Sequence, residues 1–409
     1  MDENELRLLR ESVREALTGL SPSSEVRARM TSEDGWDRAT WRRLCNELGL
    51  SGFMVPEEHG GGGFSAVELG AVFEEAGRTL LCAPLLATAG LAIPLLLALG
   101  DAEAHKRYLP GLCDGSLIVT VATTDTSGRS LVEGGTPGVR SQDGPSAPAG
   151  ADASGSRPGA DCAVEVGLRD GAPVLSGSVG FVVDGAAADV ILVPARTEEG
   201  TAVYAVAADA PGVTVTPLTT LDQTRRQAKL SFRDAPATRL GEGDATEAVE
   251  KALDIARAML AAEQAGGAAV CLEMAVEYGK TRVQFGRPIG SFQAFKQKVA
   301  SLLIQVESAR SAAEAAAQAA AVALDPDAAV RLPGLPGLAV VASVARIYCS
   351  EAYVAVAAEN IQLHGGIGFT WEHDAHLYFK RAWTGRELLG RPEEHTERLA
   401  GLLTAQAAP

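Results

Sequence analysis

The sequence has little basic charge, and this narrows the range of possible ligands. Its 409 residues include 36 lysines and arginines against 52 aspartates and glutamates, for a formal net charge of -16. Such a chain has no broad basic face with which to neutralise a phosphate backbone, so nucleic acid is not expected as a partner. Any anionic ligand must be bound by a few local arginines or lysines.

Cysteine pairs at CxxC spacing are also missing. The six cysteines are scattered along a chain of this length, at Cys45, Cys82, Cys113, Cys162, Cys271 and Cys349. This pattern suggests reduced thiols in the cytoplasm. The first residues show no basic stretch followed by an apolar core, so an export signal is not expected and a cytoplasmic location is predicted.

Long apolar runs are nearly absent. The one run that approaches the length of a membrane span extends from Ala83 to Gly100. Pro84 and Pro94 interrupt it and no cluster of basic residues flanks it, so the sequence favours a buried helix pair over a membrane span.

What is present is enough apolar sequence for two or three packed domains, with 46% hydrophobic and 22% charged residues. Residues 5–112 repeat apolar side chains at helical spacing, residues 117–234 hold short β-branched runs bounded by turns, and helical spacing returns after residue 241. We therefore predict a mostly α protein with a central β domain. The predicted domains are 1–115, 116–240 and 241–409.

The C-terminal third is predicted to form four long helices, over residues 245–280, 291–324, 338–363 and 372–389, which suggests an antiparallel bundle. A Pro- and Gly-rich linker at 332–337 separates two of them. In the β region, residues 127–159 are crowded with Gly, Pro, Ser and Asp and are predicted to form a surface excursion.

One informative motif lies where the first two of these helices meet. A helix is predicted to end near Lys280 and another to start near Ser291, a good N-cap residue. Arg282 and Arg287 then lie at a helix junction, where guanidinium and backbone N–H groups could together bind a pyrophosphate. On composition alone, the two arginines could equally decorate an ordinary turn.

A second motif follows the third helix. Three glycines at Gly365, Gly366 and Gly368 permit close approach of the backbone to a ligand, but they also fit an ordinary helix terminus. His364, like His373 and His376, lacks partners at metal-ligand spacing. No metal site is expected.

Taken together, these motifs resemble the acyl-CoA dehydrogenase family. Its signature is an Arg-x-Gln-Phe-Gly turn, then Phe-Gln on a helix, then a Gln-x-x-Gly-Gly-x-Gly loop, here residues 282–286, 292–293 and 362–368. Further similarity lies in Leu48–Gly52, Pro56–Gly61, Glu74–Arg78, Ser176–Val183 and Pro211–Val213. The resemblance implies an N-terminal helical domain, a middle β-barrel or sandwich domain and a C-terminal four-helix bundle.

The resemblance also implies FAD at a subunit boundary. Arg282, Gln284 and Phe285 are then expected to meet the cofactor of the neighbouring subunit. Gln362, Gly365 and Gly366 are expected at its diphosphate and adenosine end, and Thr123 near the flavin ring. The implied substrate is an acyl-CoA or a carrier-bound acyl group, and the implied electron acceptor is an electron-transfer flavoprotein.

The sequence departs from the family pattern at the catalytic base. Leu389 stands where the usual glutamate is expected, and the alternative family position falls on Ala256, whereas Arg257 matches a family arginine near the thioester. Replacement candidates are Asp254 and Glu263, on the same helix as Arg257, although each could instead be a cap or a buried ion-pair member. Phe181 and Val183 also stand where many members have Trp and Thr beside the flavin.

Residues 375–389 and 77–84 resemble a subgroup found in actinobacteria, with members acting on sterol side chains or specialised metabolites, some as mixed tetramers. Three hypotheses follow. The chain is an FAD-dependent dehydrogenase of acyl thioesters, or a partner subunit that lacks its own base and needs a paralogue for activity, or a member of the fold repurposed for other flavin or non-redox chemistry on a specialised metabolite. The expected assembly is a homo-oligomer or a mixed oligomer with a paralogue.

Overall fold

The computed structural model describes residues 3–124, 164–325 and 336–407. The predicted surface excursion at 127–159 lies outside the described residues. So does most of the predicted linker at 332–337.

The N-terminal part is helical, as predicted. Its helices are α1 (Glu3–Leu20), α2 (Ser23–Thr31), α3 (Arg38–Leu48), α4 (Ala66–Arg78), α5 (Ile93–Leu99) and α6 (Ala102–Cys113). The start of α4 is set by a capping box, in which the Ser65 hydroxyl accepts from the Val67 N–H and the Ser65 N–H donates to the Glu68 carboxylate. The apolar side of α4 is buried among the other helices.

The apolar run near residues 83–100 is buried, but it is one helical segment rather than a helix pair. A π-helical stretch, Leu86–Ala92, continues directly into α5. Pro94 does not interrupt the segment, because it falls in the first turn of α5, directly after the wider π turns, where an amide hydrogen bond is dispensable. Ile93, Leu95 and Leu96 are completely buried.

The middle part consists of two four-stranded sheets. The strands are β1 (Val119–Val121), β2 (Val164–Arg169), β3 (Ala172–Val183), β4 (Val190–Thr197), β5 (Gly200–Ala207), β6 (Val213–Pro217), β7 (Gln227–Pro236) and β8 (Thr238–Leu240). One sheet has the order β1-β4-β5-β8 and the other β2-β3-β7-β6. Alternate side chains from both sheets, such as Ile191, Tyr204, Leu230 and Phe232, form one shared core.

The C-terminal part contains five helices among the described residues, one more than predicted. They are α7 (Thr246–Thr281), α8 (Gln293–Leu324), α9 (Leu338–His364), α10 (Ala375–Glu387) and α11 (Pro392–Ala407). A short hairpin of β9 (Val283–Gln284) and β10 (Arg287–Pro288) follows α7. The predicted fold class, mostly α with a central β domain, is confirmed.

The helix α7 is the central element of the bundle and crosses α4 at backbone contact. A Cβ atom on Gly77 would lie 2.0 Å from the carbonyl oxygen of Glu263, and a Cβ on Gly266 would lie 1.9 Å from that of Glu74. Only glycine fits at this crossing. The close approach packs the middle of α7 directly against α4 of the N-terminal part.

Two described helices are long and apolar enough to span a membrane by length and composition. They are residues 246–281 and 338–369, whose most apolar windows are 78% and 56% buried inside the protein. Core helices pass the same test, and in this fold both helices pack against other helices of the bundle.

Candidate functional site

The first half of α7 carries two of the three predicted catalytic residues, and they bind each other. The Arg257 guanidinium donates to Asp254 Oδ1 over 2.8 Å, and Arg398 of α11 donates to both oxygens of the same carboxylate, over 2.7 and 2.9 Å. Asp254 and Arg257 are buried. The Asp254 carboxylate is therefore already engaged by two cations, and its role as a base stays a prediction.

The third predicted catalytic residue, Glu263, lies two turns further along α7 in a second ion-pair network. One of its oxygens accepts from Arg225 and the other from Arg381 Nε, the latter over 3.0 Å. Burial acts to raise the pKa of Glu263, but the Arg225 and Arg381 guanidiniums outweigh it and hold that pKa below its ordinary value. A carboxylate so stabilised as an anion is a weak base, and the catalytic role of Glu263 also stays a prediction.

This second network joins three parts of the chain. Arg225 follows the β6 strand, Arg381 lies on α10, and Arg381 also donates to the Thr224 hydroxyl over 2.8 Å. Beside the network lies Asp184, directly after β3, whose burial raises its pKa to about 7 against the opposing effect of Arg225 and Arg381. One nitrogen of Arg225, Nη1, is buried without a hydrogen-bond partner among the described residues.

The segment after α10 holds Leu389, at the expected base position. The Leu389 carbonyl oxygen accepts from Arg257 Nε over 3.1 Å and from His395 Nε2 over 3.0 Å. Its side chain is partly buried and packs against the two cores that meet there, and Ala256 is completely buried in one of them. Neither of the two family base positions therefore holds a group that takes up a proton.

Backbone strain marks several of the positions chosen from the sequence. Seven described residues other than glycine have positive φ, and three of them are Phe181 (φ 53°), Phe285 (φ 53°) and Leu389 (φ 57°). A left-handed backbone is unfavourable for bulky side chains, and such strain concentrates at functional sites. The three positions that resemblance places at the flavin and at the base thus share an unusual conformation.

Thr123 lies close to Phe181. The neighbouring Thr124 hydroxyl donates to the Gly180 carbonyl over 2.6 Å, and the Thr120 hydroxyl donates to the Val183 carbonyl over 2.7 Å. These two bonds bracket the bulge at which β3 turns Phe181 outward, where its ring is half-exposed. The neighbours of Thr123 in the chain therefore contact β3 on either side of Phe181, and a role of Thr123 near a flavin stays a prediction.

The Arg-x-Gln-Phe-Gly turn forms the hairpin between α7 and α8. Phe285 and Gly286, both with positive φ, make its tip, and the side chains of Arg282, Gln284 and Phe285 are exposed. The expectation that Ser291 caps α8 is wrong. The Ser291 hydroxyl donates to the Pro288 carbonyl within a short 3-10 turn, and the N-cap of α8 is Phe292.

The glycine loop lies at the same end of the bundle as this hairpin. The Tyr278 ring near the end of α7 stacks on His364 at the end of α9, with ring centroids 4.4 Å apart. Gln362, Gly365 and Gly366 are exposed next to this stack. The same end carries large uncovered rings, with Phe285 92%, Phe369 85% and Trp371 66% exposed.

Sequence reasoning missed the arginines that organise the buried half of the site. Arg225, Arg346, Arg381 and Arg398 lie on four different elements, and no local motif distinguishes them from surface arginines. Burial sets Arg225, Arg346 and Arg381 apart, whereas Arg398 is partly exposed. The sequence offers a signal only at Arg346, which lies in an otherwise apolar stretch.

Comparison with known proteins agrees with the fold, which is that of an acyl-CoA dehydrogenase. The profile of the acyl-CoA dehydrogenase N-terminal domain matches residues 3–116, and that of the C-terminal domain matches residues 241–402. The chain belongs to the acyl-CoA dehydrogenase family, whose members are FAD flavoproteins.

Among its relatives is the acyl-CoA dehydrogenase IpdE2 of Mycobacterium tuberculosis, 34% identical over 395 residues, which cover 97% of this chain and 96% of that one. Among solved structures, the ChsE4-ChsE5 complex from Mycobacterium tuberculosis matches with a TM-score of 0.81 and 28% identity, covering 100% of this chain and 99% of that one. A variant of the Tcur3481-Tcur3483 steroid ACAD matches with a TM-score of 0.78 and 29% identity, covering 99% of each.

Proposed function

We propose that this protein is a subunit of a cytoplasmic, FAD-dependent dehydrogenase that introduces an α,β double bond into an acyl thioester, and that a paralogous subunit supplies the catalytic base. The acyl group is carried on CoA or on a carrier protein. The observation that carries this proposal is Leu389. A leucine stands at the base position, while the nearby carboxylates of Asp254 and Glu263 are each held by two arginines.

The residues at the exposed end of the bundle fit a dinucleotide that is shared between subunits. Arg282 offers a guanidinium to the diphosphate, and Gln284 and Gln362 offer amides, all on the surface rather than within one closed pocket. The exposed rings of Phe285 and Phe369 need cover that the described part of this chain does not provide. A cofactor bound between this surface and a second subunit would cover them.

A bound flavin would supply the acceptor for the β-hydrogen of the acyl group, which leaves as hydride, and a base would be needed to remove the α-proton. The part played by this chain is positioning. Thr123, Phe181 and Val183 form the wall of the β domain beside the expected flavin ring. Arg257, held by Asp254 and by the Leu389 carbonyl, keeps a cation at the expected thioester end of the pocket.

A second subunit is further supported by apolar side chains that α8 and α9 leave uncovered. Leu303, Ile304, Val344 and Tyr348 are exposed on these two helices. Two of the solved structures that this chain resembles bear paired names, ChsE4-ChsE5 and Tcur3481-Tcur3483. We propose a mixed oligomer, with a homo-oligomer as the alternative and an electron-transfer flavoprotein as the electron acceptor.

The experiment compares the chain purified alone with the chain co-expressed with a paralogue that carries glutamate at the position of Leu389. Each preparation is examined by its visible spectrum and then titrated anaerobically with acyl-CoAs of different size. We expect flavin bleaching in the mixed assembly and none in the isolated chain. Replacing the paralogue's glutamate with glutamine is the control and should abolish bleaching while leaving assembly intact.

Two outcomes would contradict the proposal in different ways. Full acyl-CoA oxidation by the isolated chain would show that it does not need a second subunit's base. Colourless protein that takes up no FAD, alone or with the paralogue, would reject the flavoenzyme altogether. Product formation that requires oxygen would instead support a repurposed member of the fold.

A further inference from the structure

Arg346 is the most deeply buried cation described in the protein. It lies in the middle of α9 and is 0% exposed. Its guanidinium donates to the carbonyl oxygens of Gly385 over 2.9 Å, Leu388 over 2.8 Å and Gly390 over 3.3 Å, and to Gln264 Oε1 over 2.6 Å. Three of its four acceptors therefore belong to one short segment, residues 385–390.

No carboxylate among the described residues forms an ion pair with Arg346. The carboxylate that acts on it most is Glu263, which is already bound by Arg225 and Arg381. Burial lowers the pKa of Arg346 to about 9, so the guanidinium stays charged at pH 7. A buried cation without a counter-ion is unfavourable unless oriented dipoles stabilise it, and here the carbonyls of segment 385–390 are those dipoles.

Two other side chains bind the same segment from different elements. Arg257 of α7 and His395 of α11 both reach the Leu389 carbonyl oxygen. Because a carbonyl oxygen only accepts, His395 Nε2 must carry the proton, and burial lowers the pKa of His395 to about 2, which keeps its ring neutral. Cations or N–H donors from three helices thus converge on four carbonyl oxygens of this segment, three of them at the consecutive residues 388–390.

We propose that Arg346 is a positioning residue, which holds segment 385–390 in the strained conformation that presents residue 389 between the two cores. The inference rests on the proposed function, in which residue 389 stands at the base position. On this proposal the chain retains the contacts that would hold a catalytic base at residue 389, although residue 389 itself is a leucine. A leucine alone gives no reason to keep Leu389 at φ 57° and Gly390 at φ 98°, or to bury an unpaired cation beneath them.

The role of Arg346 in holding segment 385–390 can be tested by placing a base at residue 389. A glutamate fits there because its side chain has nearly the volume of a leucine. Leu389→Glu would place a carboxylate next to the Arg257 guanidinium, which already contacts residue 389 through its carbonyl. We expect Leu389→Glu to gain dehydrogenation in the chain without a paralogue, measured as flavin bleaching by acyl-CoA. Leu389→Gln is the matched control, with similar size and no ionisable group, and should gain nothing.

Arg346 is then varied in the Leu389→Glu background. Arg346→Met should lower kcat by about 100-fold, because a misplaced catalytic group loses about this factor, while acyl-CoA binding to the flavin-loaded protein changes by no more than about threefold. Arg346→Lys, which keeps the charge and some of the donors, should restore part of the loss. A role in stability alone would not separate kcat from binding in this way.

Amide hydrogen exchange provides a readout that does not depend on activity. In the otherwise unmodified chain, Arg346→Met should speed exchange across residues 385–391 more than elsewhere in α9, and Arg346→Lys should do so less. If Arg346→Met does not fold, the comparison of Arg346→Lys with the parent carries the test. Unchanged exchange at 385–391, or kcat of the glutamate variant insensitive to residue 346, would overturn the proposal.

The two proposals fail separately. If no FAD is bound in any preparation, the proposed function falls, while hydrogen exchange still reports whether Arg346 holds the segment. A different result would reject the inference about a retained support for the base. FAD would bind and the mixed assembly would be active, but the isolated Leu389→Glu chain would be inactive although the amides of segment 385–390 were still protected from hydrogen exchange.

Discussion

The buried half of α7 and the exposed segment at the end of the same helix differ in whether their charged side chains are paired within this chain. Asp254, Arg257 and Glu263 are charged groups inside the protein, and each is paired within the described chain. Arg282 and Phe285, just beyond the end of the helix, are exposed, and the Arg282 side chain makes no hydrogen bond to another described residue. The first region is complete by itself, whereas the second is arranged for something outside this chain.

This difference separates stability from function along a single helix. A buried ion pair that loses one member leaves an unpaired charge in the interior, which destabilises the fold strongly. An exposed side chain without partners contributes little to the stability of the fold. Its substitution therefore changes only the binding of a ligand or of another subunit. Substitutions in the two regions should therefore give different kinds of defect.

The largest effect is expected at Glu263. Glu263→Gln leaves Arg225 and Arg381 buried without their shared carboxylate, and should lower the free energy of unfolding by about 3–5 kcal/mol. Denaturant unfolding monitored by circular dichroism measures it. Glu273→Gln is the matched control on the same helix, because Glu273 is exposed and its pair with Arg78 should contribute about 1 kcal/mol or less. Equal losses in the two variants would remove the distinction between the regions.

A pH-dependent effect is expected from Asp184. The pKa of Asp184 in the folded protein, about 7, lies above its ordinary value in an unfolded chain. The protonated carboxyl therefore stabilises the fold fully at a pH below the ordinary value, and this stabilisation is lost as the pH rises through 7. The difference of about three units corresponds to at most about 4 kcal/mol. Asp184→Asn, which tolerates the same φ of 52°, should flatten the decline in unfolding free energy between pH 4 and 7. A variant as pH-dependent as the parent would contradict this assignment.

A smaller effect is expected where α4 crosses α7. Gly77→Ala places a Cβ against the Glu263 carbonyl and should destabilise the fold by about 1–3 kcal/mol, since backbones must move apart. Gly19→Ala in α1 is the control, because nothing lies within 4 Å of its Cβ position and alanine favours helix. Melting temperatures of the two variants should move in opposite directions. A neutral Gly77→Ala would mean that the helices can separate freely.

The smallest effect on stability is expected at Arg282. Arg282→Ala should change the free energy of unfolding of the isolated chain by no more than about 0.5 kcal/mol. It should nevertheless weaken FAD retention by about 10- to 100-fold, the value of a charge-assisted hydrogen bond to phosphate. Flavin-to-protein ratio after gel filtration measures it, with the nearby exposed Lys280→Ala as control. If Arg282→Ala instead lowered the free energy of unfolding and left FAD retention unchanged, the exposed region would serve stability rather than binding, which would contradict the comparison.

Much of the fold followed from local patterns. The spacing of apolar residues along α7 and the alternation along strands such as β4 and β5 are local signals, and these elements formed where the signals indicated. Three details did not follow, and the first is that Phe292 rather than Ser291 is the N-cap of α8. Pro94 was expected to break a helix that continues past it through π turns, and α11 was not predicted although Pro392 begins it and Glu393 lies in its first turn.

The site divides in the same way. The Arg282 hairpin and the glycine loop could be picked out because each is a contiguous motif, and the structure adds that the Tyr278–His364 stack brings them to one end of the bundle. Their binding of FAD stays a prediction. The surroundings of Asp254 and Glu263 could not be predicted, since their arginine partners lie between 3 and 144 residues away along the chain.

The sequence by itself determined the helices, the strands, the family and the absence of a glutamate at residue 389, because each of these depends on side chains close together in the chain or on a motif of fixed spacing. Only the tertiary structure decided which carboxylates are free to act. Whether a charge is a base or a structural ion depends on burial and on the cations around it, and those come from helices that meet only when the chain is folded.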